Sequence, residues 1–260
     1  SDWTPSARLT NPVGRFDTTF KASLTTLPAV GSGAIIGDEI VRIDAADLAT
    51  GTLTVGRACA DTLPATHSAG AQLWFFQDAI ESDGIEYLQG ETIDVRLLTK
   101  TSQETLDAGL ATVIHLTLQA RKERPYLPAN ISLNDEPYPL VAQPAAEYIL
   151  TWSHRDRQLQ ADRLIDYLES SIGPEAGVVY VINLVRADSG DIVWTKNTVD
   201  ESLVLPYSSS ISPLNRVHSV TIEARRGDLA SLRSWVITLP VGRYVEPSPE
   251  PEPPPEESAA

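Results

Sequence analysis

The sequence has no methionine, a single cysteine and few basic side chains, and the last two shortages exclude particular classes of protein. One cysteine excludes a disulfide framework within the chain. With 20 Lys and Arg against 35 Asp and Glu, the net charge of −15 excludes nonspecific nucleic-acid binding, which needs clustered basic residues. The longest nearly apolar run, Ala176 to Val185, is about half as long as a membrane-spanning helix, so no membrane span is expected. Without methionine at position 1, we expect a trimmed start or a fragment.

Proline and glutamate are concentrated in residues 246–260, which hold five of the glutamates and six of the nineteen prolines. The segment has no apolar side chain larger than proline or alanine, so burial cannot offset the entropy of ordering it. The sequence therefore predicts a disordered, extended tail. Without this tail, 30 acidic residues remain against 20 basic ones, and the rest of the chain is moderately acidic.

Strand patterns dominate residues 1–120, which we interpret as a β-barrel-like module. Val41 and Ile43 alternate with Ile40, Arg42 and Asp44, and the turn at Thr50-Gly51 separates this run from a second strand-like run. This arrangement is typical of a β-hairpin. Further strands are predicted over residues 71–76, 91–99 and 113–120.

Residues 121–144 contain five prolines, which remove backbone donors and favour extended conformations, so we expect a stiff surface linker. After it, short runs separated by turn residues predict a β-sandwich over residues 145–245. The predicted strands of this sandwich cover residues 148–153, 177–186, 191–195, 202–205, 219–225 and 234–239. Gln158 to Ser171 is consistent with either a short helix or an inserted loop.

The motifs of common enzyme and metal-binding classes are missing. The histidines at positions 67, 115, 154 and 218 lie far apart and form no metal-binding pair. No glycine-rich phosphate loop, GxSxG or HExxH is present. We therefore predict no catalytic residue, no cofactor and no metal. One alternative stays open, a thiol nucleophile at Cys59 with His67 eight residues later.

Two stretches carry more specific patterns. In GRACADTLPATHSAGAQLWFF, residues 56–76, polar side chains are expected to stabilise a loop between strands. In LTWSHRDRQLQADRLIDYLESSIG, residues 150–173, Trp152 is expected to anchor the core. The charged residues at 154–157 should then pair with one another where the strand ends.

The first stretch resembles the GRGxxDTxPxxHxxG segment of tail-tip and baseplate-hub proteins of long-tailed bacteriophages, with prophage and gene-transfer-agent relatives. Ala58 stands where the second glycine is usual. RPYLPANISLND, residues 124–135, is similar to the family's RPYPPGN-type linker. The second stretch, with Gly173-Pro174-Glu175, resembles the WxHRDR…GPE segment that opens a fibronectin-III-like module. The candidate motif or interface residues are Arg57, Asp61, Thr62, His67, Gly70, Trp152, His154, Arg155, Asp156 and Arg157.

The resemblance implies an all-β protein in which the β-barrel-like module precedes a fibronectin-III-like sandwich. It implies a structural component of a phage tail tip or baseplate, made in the host cytoplasm and located in the virion. Expected partners are further copies around the tail axis, other tail-tip or baseplate proteins and the host surface. Two departures are a missing tyrosine in the aligned Val220-x-Ile222-x-Ala224 pattern and a chain shorter than related hub proteins.

Three other functions stay open at this stage. A receptor- or carbohydrate-binding module would stack sugars on exposed aromatic side chains such as Trp194 or Trp235. A cell-wall hydrolase would use Cys59 and His67. A tail chaperone would be absent from the mature particle.

Overall fold

A computed structural model describes residues 5–76, 84–160, 163–169, 171–208 and 216–245. Within these ranges the chain forms eighteen β-strands and no helix, which confirms the all-β prediction. The described part of the segment from Gln158 to Ser171 consists of turns and irregular chain, as the loop interpretation predicts. The predicted tail, 246–260, lies outside the described residues.

The chain divides into two compact units, and neither is continuous in sequence. The first contains residues 1–127, 155–178 and 224–233, and the second contains residues 128–154, 179–223 and 234–260. The main change of unit falls inside the segment predicted as a linker. Residues 155–178 and 224–233 belong to the first unit, although the sequence assigns them to the sandwich.

A curled six-stranded antiparallel sheet forms the body of the first unit, in the order β1-β6-β3-β4-β5-β2. Its strands are β1 (Ser6–Arg8), β2 (Thr19–Lys21), β3 (Gly33–Ile36), β4 (Glu39–Asp47), β5 (Thr52–Gly56) and β6 (Gln72–Phe75). Side chains alternate between buried and half-exposed along the first part of β4 because successive residues of a strand face opposite sides. The buried side includes Phe20, Val41, Ile43 and Leu53, which form one apolar core.

The β4–β5 hairpin is the one that the sequence predicts, with its turn at Thr50-Gly51. The Asp47 carboxylate accepts from the backbone N–H of Ala49 at 2.9 Å and from the Thr50 hydroxyl at 2.7 Å. Gly51 has φ +62°, and a Cβ there would lie 2.5 Å from the carbonyl oxygen of Ala22. Glycine is therefore required by both conformation and space.

Residues 84–118, which we call the arm, contain a two-stranded antiparallel sheet of β7 (Thr92–Arg96) and β8 (Val113–Thr117). The register pairs Thr92 with Thr117 and Asp94 with His115. These strands lie within the predicted ranges, but the arm leaves many large apolar side chains exposed. They are Ile85, Tyr87, Leu88, Leu97, Leu98, Leu106, Leu110, Ile114 and Leu116, with exposed fractions from 37% to 80%.

The second unit is built on two sheets. One has the order β10-β9-β11-β14 and the other β13-β12-β16-β18-β15. β17 pairs with the end of β16, and this end and β17 fall within residues 224–233 of the first unit. The strands are β9 (Ala129–Leu133), β10 (Glu136–Pro137), β11 (Ile149–Ser153), β12 (Val178–Arg186), β13 (Ile192–Thr198), β14 (Ser202–Val204), β15 (Tyr207–Ser208), β16 (Arg216–Arg226), β17 (Leu229–Ala230) and β18 (Trp235–Tyr244). Trp152 on β11 packs edge-on against Tyr180 on β12 with ring centroids 5.6 Å apart, so the two sheets face each other across a shared core. This fibronectin-III-like sandwich confirms the predicted fold class.

Part of the segment predicted as a surface linker is a strand of this sandwich. β9 occupies residues 129–133, and Ala129, Ile131 and Leu133 are buried. The prolines of the segment lie outside β9, so each backbone N–H within that strand is retained. Counting prolines over the whole segment therefore concealed the short apolar alternation between them.

Candidate functional site

Glu39 and Arg57 form the centre of the first group of candidate residues. Glu39 opens β4, Arg57 directly follows β5, and both side chains are fully buried. The Arg57 guanidinium donates from Nε to Glu39 Oε1 at 2.7 Å and from Nη2 to Oε2 at 2.8 Å. This two-point geometry is the strongest that an arginine and a carboxylate form. Because a buried charge needs a well-placed partner, the pair fixes the start of β4 against the end of β5.

The Glu39 carboxylate also holds the loop that follows. It accepts from the backbone N–H of Ala58 at 3.0 Å and of Ala65 at 3.1 Å, and His67 Nε2 lies 2.7 Å from its Oε2. Burial alone would raise the pKa of Glu39. Together, the hydrogen bonds from Arg57, His67 and the Ala58 N–H and the positive charge of Arg57 outweigh burial and hold that pKa below its ordinary value.

The remaining donors of Arg57 bind backbone carbonyls. Its Nη1 donates to the oxygens of Gly14 at 3.0 Å and Asp17 at 2.7 Å, and its Nη2 donates to Ala65 at 2.6 Å. With the two bonds to Glu39, all five N–H groups of the guanidinium are used. Arg57 is therefore a brace inside the first unit and has no donor left for a ligand.

Asp61 and Thr62 stabilise the middle of residues 56–70, which we call the motif loop. Asp61 accepts two hydrogen bonds from the Arg121 guanidinium, at 2.7 and 2.5 Å. The Thr62 hydroxyl donates to the carbonyl of Cys59 at 2.7 Å and accepts from the backbone N–H of Ile40 at 3.1 Å. These contacts confirm that polar residues of the motif loop stabilise it.

His67 and Gly70 close the motif loop against the N-terminal segment. The backbones of His67 and Val13 exchange two hydrogen bonds, at 2.8 and 3.0 Å. Gly70 has φ +86°, and its N–H donates to the carbonyl of Leu9 at 2.8 Å. No atom lies within 4 Å of a Cβ built at Gly70, so glycine serves its backbone conformation there rather than close packing.

Cys59 lies under the motif loop and is fully buried. Burial raises the pKa of its thiol to about 12. Because the thiolate is the nucleophilic form, a buried thiol with such a pKa is inert near neutral pH. His67, the proposed base of the thiol alternative, lies instead against Glu39.

In the second unit, Trp152 and His154 both pack against Tyr180. Trp152 is buried and meets Tyr180 edge-on, whereas the His154 ring stacks on Tyr180 with centroids 5.5 Å apart. His154 Nδ1 lies 2.9 Å from the Tyr180 hydroxyl, and the His154 N–H donates to Glu201 at 3.2 Å. Trp152 is thus the core anchor that the sequence predicts.

Arg155, Asp156 and Arg157 belong to the first unit. Arg155 is buried and donates to the carbonyl of Asp166 at 2.6 Å. The Asp156 carboxylate accepts from the backbone N–H of Gln158 at 2.8 Å, closing a turn. Arg157 forms an ion pair with Glu175 at 2.9 Å, and Arg226 contacts the same Glu175 oxygen. The partners found for these side chains are thus backbone groups and Glu175.

Sequence reasoning missed the acidic partners Glu39 and Glu175. A signal for Glu39 exists, because it shares the strand phase of Val41 and Ile43 and so lies on their buried side. An acid at a core-facing position requires a buried cation, and Arg57 is a nearby choice. Glu175 gives no such signal, because it lies outside any strand and one of its two partners, Arg226, is remote in sequence.

An open groove of about 670 Å³ lies in the second unit. Its wall includes the half-buried Trp194, the basic side chains Lys196 and Arg243, and Glu147. Trp235, the other aromatic proposed for sugar stacking, is only 8% exposed, and its indole N–H donates to the carbonyl of Pro139 at 3.0 Å. The prediction of an exposed Trp235 is wrong because this ring belongs to the sandwich core.

In the described ranges, no three His, Cys, Asp or Glu side chains come together as a metal site would require. The same residues include no helix long and apolar enough to cross a membrane. What the candidate residues do, as placed, is neutralise buried charge and close loops on an all-β scaffold.

The fold and these contacts define an all-β protein whose second unit is a fibronectin-III-like sandwich. No known protein family matches the chain, and no curated protein matches it. A solved structure of the FN1–FN3 domains of chicken CNTN1 is similar at 8% identity over 92% of this chain, with a TM-score of 0.27. This chain covers 66% of that one, and a likeness of this degree carries no argument about function.

Proposed function

We propose that this chain is a structural component of the tail tip or baseplate of a long-tailed bacteriophage or a related particle. The observation that carries the proposal is the use of the motif residues. Arg57 and Asp61 hold loops in place through ion pairs with Glu39 and Arg121. The residues behind the resemblance thus serve a rigid scaffold, which favours a building block over a catalyst.

The charge and the surface fit this role. A net charge of −15 keeps free subunits apart and soluble before they assemble. Large apolar side chains remain exposed on the arm, where a subunit of an assembly would meet its neighbours. The expected partners are further copies around the tail axis, other tail-tip or baseplate proteins and the host surface.

The test is the location of the chain in purified particles. We expect mass spectrometry to find it at a constant ratio to other tail proteins, and antibody labelling in electron micrographs to mark the tip. A protein found only in the soluble lysate would contradict the proposal and favour the tail-chaperone alternative.

The groove in the second unit supports a second candidate, a receptor- or carbohydrate-binding module. Trp194 offers a partly accessible indole face, and Lys196 and Arg243 supply donors beside it. Under this alternative, Trp194→Ala abolishes saturable binding of the full chain to host-envelope glycans. The matched control is Trp74→Ala, because Trp74 is 49% exposed on the first unit. Equal binding by both variants, or none by the parent chain, would exclude the alternative.

The hydrolase alternative has the least support, since it relies on the buried thiol of Cys59. Under the structural proposal, Cys59→Ala leaves any effect of the chain on cell-wall material unchanged. Turnover by the parent chain that this substitution abolishes in a folded variant would revive the alternative.

A further inference from the structure

The arm has one polar and one apolar side. Thr92, Asp94 and Arg96 share one side of β7, while Ile93 and Val95 share the other, because residues alternate along a strand. The cross-strand partners of Ile93 and Val95 are Leu116 and Ile114, which are 49% and 48% exposed. A two-stranded sheet with an uncovered apolar side is marginal in water by itself, so a further strand would stabilise it.

The outer edge of β7 is free among the described residues, since the sheet contains only β7 and β8. Leu118 donates to the carbonyl of Glu91 and accepts from the N–H of Gly90, both at 2.8 Å. Because backbone groups alternate in direction along an antiparallel strand, those of Ile93 and Val95 point to β8. The N–H and C=O groups of Thr92, Asp94 and Arg96 therefore point outward.

When two copies of this edge pair antiparallel, Asp94 and Arg96 meet opposite charges in one register only. If two copies of β7 pair antiparallel about Val95, Asp94 of each copy faces Arg96 of the other. A shift by two residues towards either end places Asp94 opposite Asp94 or Arg96 opposite Arg96. Directly opposed opposite charges stabilise a strand pair and like charges destabilise it, so the edge specifies the register centred on Val95.

We propose that the free edge of β7 pairs antiparallel with β7 of a second copy of this chain, centred on Val95. The two arms then form one four-stranded sheet in which the outward backbone groups are satisfied. Ile93 of each copy packs beside Leu97 of the other, and Leu97 is 73% exposed in the single chain. A two-fold contact of this kind uses the same patch on both copies. The pairing is independent of the tail-tip proposal.

The experiment measures the mass of the full chain by sedimentation over a concentration series. We expect a dimer for the parent chain, and a dimer at least tenfold weaker for Asp94→Arg and for Arg96→Asp, since each variant opposes like charges at both ends of the pair. Mixing these two variants should restore a dimer, because two arginines on the edge of one copy then face two aspartates on the edge of the other. The double swap, with both substitutions in one chain, should also restore it.

Asp228→Arg is the matched control, because it makes the same charge change at an exposed position outside the arm. It should leave dimerisation unchanged. Thermal unfolding of each variant checks that the fold is retained. A parent chain that stays monomeric at every concentration would overturn the proposal, as would a dimer that Asp94→Arg and Arg96→Asp leave intact.

Discussion

The motif loop and the arm are close in the chain, but they differ in which side chains they bury. Arg57 of the motif loop and Glu39 at the start of β4 form a charged pair that is fully buried, with each charged group hydrogen-bonded. The arm leaves aliphatic side chains such as Leu97 and Leu110 in water. Buried and fully paired polar groups define local structure, whereas exposed apolar groups are available for association.

Removing the charge of Glu39 should have the largest effect on the stability of the chain. We expect Glu39→Gln to lower the free energy of unfolding by about 3–5 kcal/mol, because the guanidinium of Arg57 is left buried without its counter-charge. Urea unfolding followed by circular dichroism measures this loss. Glu104→Gln in the exposed arm is the control and should change stability by less than about 0.5 kcal/mol. Similar values for both variants would show that the buried pair contributes little.

The pH dependence of the same pair gives the second prediction. The pKa of Glu39 lies below its ordinary value of 4.5 in the folded chain. The folded state thus favours the charged carboxylate, and the stability it contributes is present above pH 4.5 and lost as pH falls through the lowered pKa. We therefore expect the difference between the parent chain and Glu39→Gln to shrink below about pH 4.5. A difference that stays constant down to about pH 2.5 would contradict the assigned role of the carboxylate.

Much of the fold follows from alternation in the sequence, and the errors have a common cause. The β4–β5 hairpin and the core position of Trp152 are predicted because neighbouring residues determine them. Glu175 and its contact with Arg226 join segments remote in sequence, and no local pattern contains such a pair. Residues 155–178 and 224–233 likewise cluster with the first unit although they are remote in sequence from most of it.

Glycine substitutions test how strongly the backbone conformation is constrained in the β4–β5 turn and in the arm. Gly51 in the β4–β5 turn and Gly90 in the arm both have positive φ, but only Gly51 has an atom within 4 Å of an added Cβ. We expect Gly51→Ala to cost about 2–3 kcal/mol and Gly90→Ala about 1 kcal/mol, because the second change adds conformational strain alone. Thermal unfolding of both variants measures the contrast. Equal losses would indicate that the turn can move away from Ala22.

The smallest expected effect belongs to the apolar surface of the arm. Leu53→Ala in the first sheet should cost about 2–5 kcal/mol, since Leu53 is fully buried and its removal leaves a cavity. The same substitution at Leu97, which is 73% exposed, should change the stability of the single chain by less than about 0.5 kcal/mol. Unfolding measured at high dilution gives the stability of the single chain without a contribution from association. A large loss at Leu97 under those conditions would mean that the arm's aliphatic side chains stabilise the fold of the single chain. Their exposure would then no longer be evidence that they serve association between chains.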